Sequence, residues 1–450
     1  MGLKEKIFKA YDIRGIYPDD FNEKSAYNIG RAFVVLTKAK NVVVSQDMRL
    51  SSPQIASSLT KGIVDQGADV ISIGMAGTDQ FYFVMGEYGY DGGFMITASH
   101  NPKEYNGFKI VKKGNIFISQ GNGMEELKDL SLKAKYPEPK QKGKIIIKDY
   151  RKQFITKMLS YIDFNKVKSF KIAMDGSSGM AGPALSEIFQ NSPCKIYPLF
   201  FKPDGSFPGH EPNPMEEENR KLLEKKVVEE KCDFGFIFDG DADRFIMVDN
   251  NGKFIFPDFI ISIIAEDILK NNLGAKIISD VTCGWSIKDT VNKYKGQLII
   301  ERTGHSFIKR RMKETGALFA GETSGHFYFK NFYGCDTGIL PALILLQIIS
   351  QSKKSFTEII EAYRKKYFLT GIINFEVINK KEVMEKIENY YKNEGASISR
   401  IDGVGVEFDN WRFILRPSNT ESLLRLILEA RSADLMNKKK EEVSKLIQKR

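Results

Sequence analysis

The strongest constraint on this chain is an acidic turn that directly follows an apolar run. The chain reads Gly-Phe-Ile-Phe over 235–238 and Asp-Gly-Asp-Ala-Asp-Arg over 239–244. An apolar run with so abrupt an end predicts a buried strand, and α/β proteins bind ligands at the ends of such strands. Three carboxylates that converge in a tight turn repel one another. We therefore predict that Asp239, Asp241 and Asp243 bind one hard cation, such as Mg²⁺, through their oxygens.

Two other interpretations of the acidic turn need weighing. Asp-rich turns also occur as ordinary solvated loops. An EF-hand begins with the same Asp spacing, but it requires Gly at the sixth position and Glu at the twelfth. This chain has Arg244 and Asn250 there, which excludes an EF-hand. The arginine beside the carboxylates indicates that an anion, most simply a phosphate, lies next to the metal.

Composition is that of a soluble globular protein. The chain has 450 residues, of which 42% are hydrophobic and 28% charged, and its length predicts roughly three domains. The net charge of +10 is compatible with nucleic acid or with an anionic small substrate. The lysines are spread along the chain and no nucleic-acid motif accompanies them, so an anionic small substrate fits the charge equally well.

The cysteines and the apolar segments indicate a cytoplasmic protein. Four cysteines, Cys194, Cys232, Cys283 and Cys335, are widely spaced and form no CxxC pair. Disulfides and zinc sites are therefore not expected, which favours a reducing compartment. The first 15 residues lack the apolar core of a signal peptide. The longest apolar run, 339–349, is too short to cross a bilayer, so we expect a buried helix there.

Strand-like and helix-like segments alternate over most of the chain, as in α/β proteins with parallel sheets. Near Leu369 this pattern gives way to alternating polar and apolar residues and to a hairpin over 408–415. We predict three consecutive α/β domains with mixed, largely parallel sheets, and a C-terminal α+β domain. The predicted domains span 1–150, 151–250, 251–368 and 369–450. Within the first, Ser51 and its two successors are predicted to cap a helix that ends near Gly67.

The sequence Phe-Met-Ile-Thr-Ala-Ser-His-Asn-Pro over 94–102 predicts a strand followed by a turn. Pro102 disfavours helix at Asn101, so the chain turns there and presents Ser99 and His100. A hydroxyl on such a turn can act as a nucleophile or carry a phosphoryl group. The alternative is a plain Ser/Asn turn with a solvent-facing histidine.

Two later loops also combine polar residues with turn residues. The segment Ala-Gly-Glu-Thr-Ser-Gly-His over 320–326, with Thr-Gly-His upstream over 303–305, suits a polyol that needs both donors and acceptors. Alternatively, its Glu and Ser cap a following helix. The segment 415–421, with Arg425 beyond it, can cradle a phosphate, or it is a turn with a surface arginine. The chain has no Walker A sequence, no GxGxxG entering a helix and no GxSxG elbow.

Taken together, four of these segments resemble the signature loops of a known family. TASHNP, DGDADR, GETSGH and RPSNTES occur in this order, and together they resemble the four loops of the α-D-phosphohexomutase superfamily. The opening segment 8–15 and the segment Asn-Gly-Phe-Lys over 106–109 resemble that family as well. The resemblance implies a four-domain enzyme whose domains surround a central cleft and carry, in order, the phosphoserine, metal-binding, sugar-binding and phosphate-binding loops.

The resemblance also implies roles for individual residues. Ser99 would carry the phosphoryl group, and the metal would be held by that serine together with Asp239, Asp241 and Asp243. Further catalytic residues, which face the transferring phosphate, move a proton or lie beside the serine, would be Arg14, His100, Lys109, Arg244 and His326. Lys109 and His326 are the expected proton-transfer groups. Substrate-binding residues would be Tyr11, His305, Glu322, Ser324, Arg416, Ser418, Asn419, Thr420 and Arg425.

The implied activity is interconversion of hexose 1-phosphate and 6-phosphate, with mannose and/or glucose as the sugar, through a phosphoserine enzyme and a bisphosphorylated intermediate. One Mg²⁺ per chain and a hexose 1,6-bisphosphate activator are implied, with no nucleic-acid or membrane partner and a monomer or homodimer.

Within this superfamily, GETSGH together with RPSNTE resembles the phosphomannomutase/phosphoglucomutase branch, but substrate choice stays open at this point. The phosphoglucosamine branch usually has Gln where Thr323 stands and Gly where Asn419 stands, whereas Thr323 and Ser422 also depart from the usual Met and Pro. Phosphoglucosamine mutase is therefore the nearest alternative. A metal-dependent sugar phosphatase, which can share an acidic turn at a strand end, is less favoured. A nucleic-acid binder rests on the net charge alone.

Overall fold

The computed structural model describes residues 3–417 and 423–448. They form two compact units. The first unit contains the chain up to Phe254 together with Ser324–Gln351, and the second contains Ile255–Thr323 together with the described residues from Ser352 onwards. Among the described residues, no helix combines the length and the apolar character needed to cross a membrane.

The first sheet is built from the N-terminal third of the chain. Its strands are β1 (Ile13–Ile16), β2 (Asn41–Gln46), β3 (Asp69–Met75), β4 (Gly92–Ile96), β5 (Tyr105–Lys112), β6 (Ile116–Phe117) and β7 (Ile145–Ile147). Their order is β1-β5-β4-β2-β3-β7, with β6 paired to β5. The pairs β4–β2, β2–β3 and β3–β7 are parallel, and β1–β5 and β5–β4 are antiparallel. Helices α2 (Ser52–Asp65) and α3 (Thr78–Tyr88) contact its strands, and α1 (Glu23–Thr37) packs against α2 and against α4 (Met124–Lys133).

The helix predicted to end near Gly67 is present, but the predicted capping by the side chain of Ser51 is wrong. Helix α2 begins at Ser52 and ends at Asp65, two residues before Gly67, and the side chain of Ser51 makes no capping hydrogen bond. Ser51 itself has helical backbone angles, whereas a capping residue usually has an extended backbone. Its hydroxyl instead accepts a hydrogen bond from Asn106 Nδ2 at 2.9 Å. The hydroxyl thus joins α2 to β5.

The second sheet follows the same plan. It contains β8 (Lys171–Asp175), β9 (Lys195–Leu199), β10 (Phe234–Phe238), β11 (Phe245–Asp249) and the short β12 (Phe254–Ile255), with helices α5 (Arg151–Leu159), α6 (Ala181–Ile188) and α7 (Glu217–Glu229). The main strands have the order β11-β10-β8-β9. Strands β10, β8 and β9 are parallel, whereas β10 and β11 form an antiparallel hairpin. The acidic turn is the connection of that hairpin.

The next five strands are divided between the two units. In the second unit, β13 (Lys276–Asp280) pairs in parallel with β14 (Gln297–Glu301) and with β15 (Phe319–Gly321). The accompanying helices are α8 (Pro257–Asn271), α9 (Trp285–Lys293) and α10 (His305–Thr315). In the first unit, β16 (Phe327–Phe329) and β17 (Cys335–Asp336) form an antiparallel pair, which α11 (Ile339–Gln351) follows. Helix α11 is largely buried, and α12 (Phe356–Arg364) begins in the second unit with a capping box at Ser355.

The fourth sheet is wholly antiparallel. Its strands are β18 (Phe368–Glu376), β19 (Ser397–Ser399), β20 (Val404–Glu407), β21 (Trp411–Pro417) and β22 (Leu423–Ala430), in the order β18-β22-β21-β20-β19. Alternate residues of β21 and β22, among them Phe413 and Leu426, pack against α13 (Lys380–Asn393) and α14 (Ala433–Gln448). The predicted fold class, mixed α/β sheets followed by a C-terminal α+β module, is confirmed.

Candidate active site

Ser99 lies on a buried turn directly after β4. Its side chain is 2% exposed, and its backbone has a φ of 49°, a left-handed conformation that costs energy in a non-glycine residue. The Ser99 amide donates to Thr97 Oγ1 at 2.8 Å. The Ser99 hydroxyl donates to Asp239 Oδ2 at 2.7 Å, and His100 Nδ1 lies 3.2 Å from the same hydroxyl oxygen. The turn therefore directs the hydroxyl of Ser99 at the acidic turn.

The acidic turn connects β10 to β11 and is held by its own backbone. All five residues of β10 are buried, so the strand fixes the position at which the turn begins. Asp239 Oδ1 accepts hydrogen bonds from the amides of Asp243 and Arg244, both at 3.1 Å. Asp239, Asp241 and Asp243 are fully buried, and one carboxylate oxygen from each lies within 4.8 Å of the others. The turn thus concentrates three carboxylates in one small buried volume.

Lys109 from β5 neutralises part of this charge. Its ammonium group lies 2.8 Å from Asp241 Oδ2 and also contacts Asp243 Oδ2. Burial lowers the pKa of Lys109, but the carboxylates outweigh burial and the pKa rises overall. Burial and the two neighbouring carboxylates raise the pKa of Asp239 well above its ordinary value. Burial acts in the same direction on Asp243, but Lys109 and His326 reverse it, so the pKa of Asp243 is lowered.

These residues fit a divalent metal ion. Asp241 Oδ1 is buried and has no hydrogen-bond partner among the described residues. A buried carboxylate oxygen without a partner is costly unless a cation binds it. Three clustered carboxylates and a hydroxyl are the oxygen ligands that Mg²⁺ prefers. The structure thus supports the coarser part of the cofactor prediction, that Asp239, Asp241 and Asp243 are arranged to hold a metal.

His100 contacts the Ser99 hydroxyl directly, and Arg14 and Arg244 contact residues beside it. Arg14, on β1, donates to Asn101 Oδ1 at 2.7 Å and to Asp12 Oδ2 at 2.5 Å. Arg244 Nε lies 3.7 Å from Asp239 Oδ2. Burial lowers the pKa of His100 well below its usual value, and the nearby charges of Arg244 and Arg14 add to this. The imidazole of His100 is therefore neutral near pH 7.

His326 joins the same cluster from the segment before β16. Its Nδ1 lies 2.8 Å from Ser324 Oγ, and its Nε2 lies 3.3 Å from Asp243 Oδ1 and 4.0 Å from Asp336 Oδ2. The backbones of Arg244 and His326 form an antiparallel bridge, which fixes the imidazole beside the acidic turn. The structure therefore brings together, within the first unit, all the residues predicted to be catalytic.

The second unit holds Glu322 and His305. Glu322 Oε1 accepts a hydrogen bond at 2.8 Å from the amide of Gly304, which precedes α10. The imidazole Nδ1 of His305 lies 3.2 Å from Lys309 Nζ. Strand β16, rather than a helix, follows the GETSGH segment, so Glu322 does not cap a following helix. Instead it bonds the start of a helix that precedes it in the chain.

Arg416 and Arg425 lie on neighbouring strands of the fourth sheet. They are directly opposite each other in the β21–β22 pair, and Arg416 Nη2 contacts Asp402 Oδ2 at 2.8 Å. Like charges directly opposite are unfavourable in a sheet, whereas paired guanidinium groups suit a phosphate. Ser418, Asn419 and Thr420, predicted to complete this loop, lie outside the described residues. Tyr11 is half-buried in the segment before β1.

Comparison with known proteins covers nearly the whole chain. Four models of phosphoglucomutase/phosphomannomutase domains match: alpha/beta/alpha domain I at 5–136, domain II at 148–252, domain III at 256–367 and the C-terminal domain at 372–446. A phosphomannomutase of Vibrio cholerae is 38% identical, over 98% of each chain.

The chain belongs to the phosphoglucomutase/phosphomannomutase family. This confirms the family that the four loops indicated. A protein of Xanthomonas campestris called "phosphohexose mutases" is 35% identical over 98% of each chain. The crystal structure of a phosphoglucomutase/phosphomannomutase family protein from Burkholderia thailandensis has a TM-score of 0.89 and 31% identity, and the match covers 100% of this chain and 99% of the other.

Two residues near the acidic turn were missed in the sequence. Thr78, at the start of α3, donates from its hydroxyl to Asp241 Oδ2 at 2.6 Å, and its amide donates to the Asp241 carbonyl at 2.8 Å. Asp336 approaches His326 from β17. Neither lies in one of the four recognised loops. The only local sign was a polar residue at a helix start or a strand end, which is too common to indicate function.

Proposed function

We propose that this chain is a phosphohexomutase that interconverts the 1-phosphate and 6-phosphate of mannose and/or glucose. The proposal rests above all on the 2.7 Å hydrogen bond from the Ser99 hydroxyl to Asp239. That contact joins a candidate phosphoryl carrier on one loop to a candidate metal ligand on another, 140 residues away. Membership of the phosphoglucomutase/phosphomannomutase family supports the same reaction class.

Ser99 is proposed to carry the phosphoryl group. In the first half-reaction, the Oγ–P bond of phosphoserine breaks, a bond forms between phosphorus and the free hydroxyl oxygen of the sugar monophosphate, and that hydroxyl loses its proton. The product is a bisphosphorylated sugar. In the second half-reaction, the bond between the other phosphorus and its sugar oxygen breaks, that phosphorus bonds to Ser99 Oγ, which loses its proton, and the released sugar oxygen gains one. Such transfers depend mainly on positioning and on neutralising charge.

Asp239, Asp241, Asp243 and Ser99 are proposed to hold one Mg²⁺ per chain. The metal supplies Lewis-acid stabilisation of negative charge on phosphoryl oxygens. Arg14 and Arg244 are proposed to face the same phosphoryl group, because both guanidinium groups lie near the Ser99 turn. His100, held neutral, would contact the Ser99 oxygen without adding charge.

Lys109 and His326 are proposed to move the proton. Both lie against Asp243, and Lys109 has the raised pKa of a group that stays protonated. A protonated lysine can stabilise the transferring phosphoryl group and donate a proton to the departing Ser99 oxygen. His326, with Ser324 on its other nitrogen, is the candidate for removing the proton of the sugar hydroxyl.

The remaining predicted residues are proposed to bind substrate. Glu322 and Ser324 would bind sugar hydroxyls, and Tyr11 and His305 would add further contacts. The phosphate that does not react would be bound by Arg416, Arg425, Ser418, Asn419 and Thr420. We also propose the domain limits 1–150, 151–250, 251–368 and 369–450, with a hexose 1,6-bisphosphate as activator. We propose that the protein is a cytoplasmic monomer or homodimer.

Replacement of Ser99 tests the assignment directly. Ser99→Ala is expected to abolish mutase turnover and to prevent addition of one phosphoryl group, which intact-mass analysis with peptide mapping detects. Ser186→Ala is a matched control, because its hydroxyl bonds only the preceding helical turn at Gly182. A Ser99→Ala enzyme that retained ordinary mutase rates would show that another group carries the phosphoryl group.

Substrate assays separate the alternatives. The proposed mutase should convert mannose 1-phosphate or glucose 1-phosphate with a higher kcat/KM than glucosamine 6-phosphate. The reverse order would identify a phosphoglucosamine mutase. If inorganic phosphate appeared as fast as isomerised sugar, the chain would be a metal-dependent phosphatase instead.

A further inference from the structure

Arg49 is the largest fully buried charged side chain among the described residues, and it lies outside the four recognised loops. It follows β2 in the segment Gln-Asp-Met-Arg over 46–49. A buried guanidinium costs energy unless its donors are all used. The positions of those donors show what the side chain holds.

The guanidinium group contacts four carbonyl oxygens of the segment 99–105, which we call the Ser99 loop. Nη2 donates to the carbonyls of Ser99 and Asn101 at 2.8 and 2.6 Å. Nη1 donates to those of Pro102 and Tyr105 at 2.6 and 3.0 Å. Three of these carbonyls lie in the irregular connection between β4 and β5, and the fourth belongs to Tyr105, the first residue of β5. One side chain therefore takes the place of the hydrogen bonds that a sheet would supply.

Arg49 is itself held on its other sides. Its Nε lies 3.2 Å from Asp47 Oδ2, and Asp47 Oδ1 accepts from the Arg49 amide at 3.0 Å and from Ser52 Oγ at 2.7 Å. The ring of Phe207 stacks on the guanidinium, 5.2 Å from ring centroid to Cζ. Strand β2, helix α2 and the loop containing Phe207 thus fix the guanidinium independently of the Ser99 turn.

We propose that Arg49 is a positioning residue, which fixes the left-handed turn at Ser99 by binding four of the loop's carbonyls at once. The Ser99 backbone is strained at a φ of 49°, and surrounding contacts must hold such a conformation. Without this clamp of four hydrogen bonds from Arg49, the turn can relax and carry the Ser99 oxygen away from Asp239. Displacement by about 1 Å is enough to slow a reaction strongly. This inference rests on the proposed function, because it concerns the residue proposed to carry the phosphoryl group.

Arg49→Lys tests the clamp, because lysine keeps the charge but cannot direct donors to four carbonyls in the plane of a guanidinium. We expect kcat to fall by about 10²-fold while the KM for sugar phosphate changes less than threefold. Amide hydrogen exchange should speed up in the peptide covering 97–106, where the amides of Ser99, Asn101 and Tyr105 are bonded within the loop. Asp47→Asn, a milder variant, should shift both measurements in the same direction by less.

Arg220→Lys is the matched control. Arg220 is also a buried arginine that donates to two backbone carbonyls, those of Pro214 and Met215, and stacks on Phe254. It makes no contact with the Ser99 loop. The Arg220→Lys enzyme should lose stability, but it should show neither the fall in kcat nor the faster amide exchange at 97–106 that are expected of Arg49→Lys.

Three outcomes would overturn the inference: an Arg49→Lys enzyme within twofold of wild-type kcat, unchanged exchange at 97–106 in both variants, or equal effects in Arg220→Lys. If Arg49→Lys does not fold, Asp47→Asn decides by the same measurements. Failure of the proposed function is distinguishable, because wild-type protein would then lack mutase activity while the exchange measurement still reported on the loop.

Discussion

At the scale of single residues, the least expected feature is that the ammonium group of Lys109 lies among the carboxylates of the candidate metal site. Its ammonium contacts Asp241 and Asp243, two of the three proposed metal ligands. A metal ion bound at this site would compete electrostatically with the Lys109 ammonium group for the same carboxylates. Lys109 is thus a counter-charge for these carboxylates, in addition to its proposed role as a proton-transfer group.

Lys109→Met is therefore expected to change catalysis and metal response in opposite directions. The kcat should fall by about 10²-fold or more, because a proton-transfer group is lost. The rise in Tm on addition of Mg²⁺ should become larger than in the wild type, since the carboxylates lose their internal counter-charge and bind the ion more tightly. Steady-state assays and thermal unfolding with and without Mg²⁺ measure the two effects.

Lys112→Met provides the control for that substitution. Lys112 lies on the same strand, β5, but its Nζ bonds the amide oxygen of Asn122 at 3.1 Å rather than a carboxylate. Its replacement should leave both quantities close to the wild type. A Lys109→Met protein with an unchanged Mg²⁺ response would show that the lysine and the metal do not share these carboxylates.

At the scale of secondary-structure elements, strands β21 and β22 set two guanidinium groups opposite each other. A phosphate bound between them removes the repulsion and gains charge-assisted hydrogen bonds. Arg416→Gln is expected to raise the KM for sugar phosphate about tenfold or more, with a smaller effect on kcat, because it removes binding to the phosphate that does not react.

The rise in Tm caused by a sugar phosphate provides an independent measurement. It should shrink in Arg416→Gln and persist in Arg400→Gln, whose guanidinium is exposed and paired with Glu388. If both variants responded like the wild type, the phosphate would bind elsewhere.

Strand β22 also packs a buried carboxyl against the start of α9. Glu429 Oε2 accepts from the amide of Trp285 at 2.8 Å, while Oε1 is buried with no hydrogen-bond partner among the residues described. Burial raises the pKa of Glu429 to about 7, and the charge of Asp258 adds to this, against the opposing effect of Arg412. At a pH between the ordinary pKa of a glutamate and about 7, the folded protein therefore holds a proton here that the unfolded chain has released.

Stability from this group is fully present below the unfolded pKa and is lost as the pH rises through the folded pKa. Glu429→Gln, which keeps an acceptor for Trp285, should raise the Tm by a few degrees at about pH 8 and change it little at about pH 5. Glu407→Gln should instead lower the Tm at both pH values. Burial raises the pKa of Glu407, but Lys288 and Trp285 outweigh burial and lower it, so its stabilising contribution is present at any pH above the ordinary pKa of a glutamate. Equal shifts of the Glu429 variant at both pH values would contradict the assignment.

At the scale of the whole molecule, the features that could be predicted from the sequence are those set by residues close together in the chain. The strand ending at Phe238, the turn at Asp239 and the hairpin between β20 and β21 follow from apolar runs, Asp spacing and a turn signal within a few residues. The antiparallel C-terminal sheet follows from alternation in the same way. Residues of the four loops could be chosen because each loop is a contiguous motif.

Contacts between distant segments could not be predicted in this way. Arg49 reaches carbonyls about fifty residues further along the chain, and Thr78 reaches a carboxylate 163 residues away. Neither side chain differs from an ordinary polar residue at the end of an element until the fold is known. For Ser51 a local partner was predicted, the start of its own helix, whereas its hydroxyl bonds Asn106 on strand β5. Side-chain partners supplied by tertiary packing explain all three cases.

The two compact units give a further expectation about metal binding. All three carboxylates and the Ser99 hydroxyl belong to the first unit. Addition of Mg²⁺ to protein treated with a chelator should therefore slow amide exchange in peptides covering 94–112 and 234–249, because bound metal removes carboxylate repulsion and suppresses local opening. Peptides of the fourth sheet, 397–417 and 423–430, should exchange at the same rate with and without the ion. Asp241→Asn should abolish the protection, whereas protection spread evenly over both units would place the metal elsewhere.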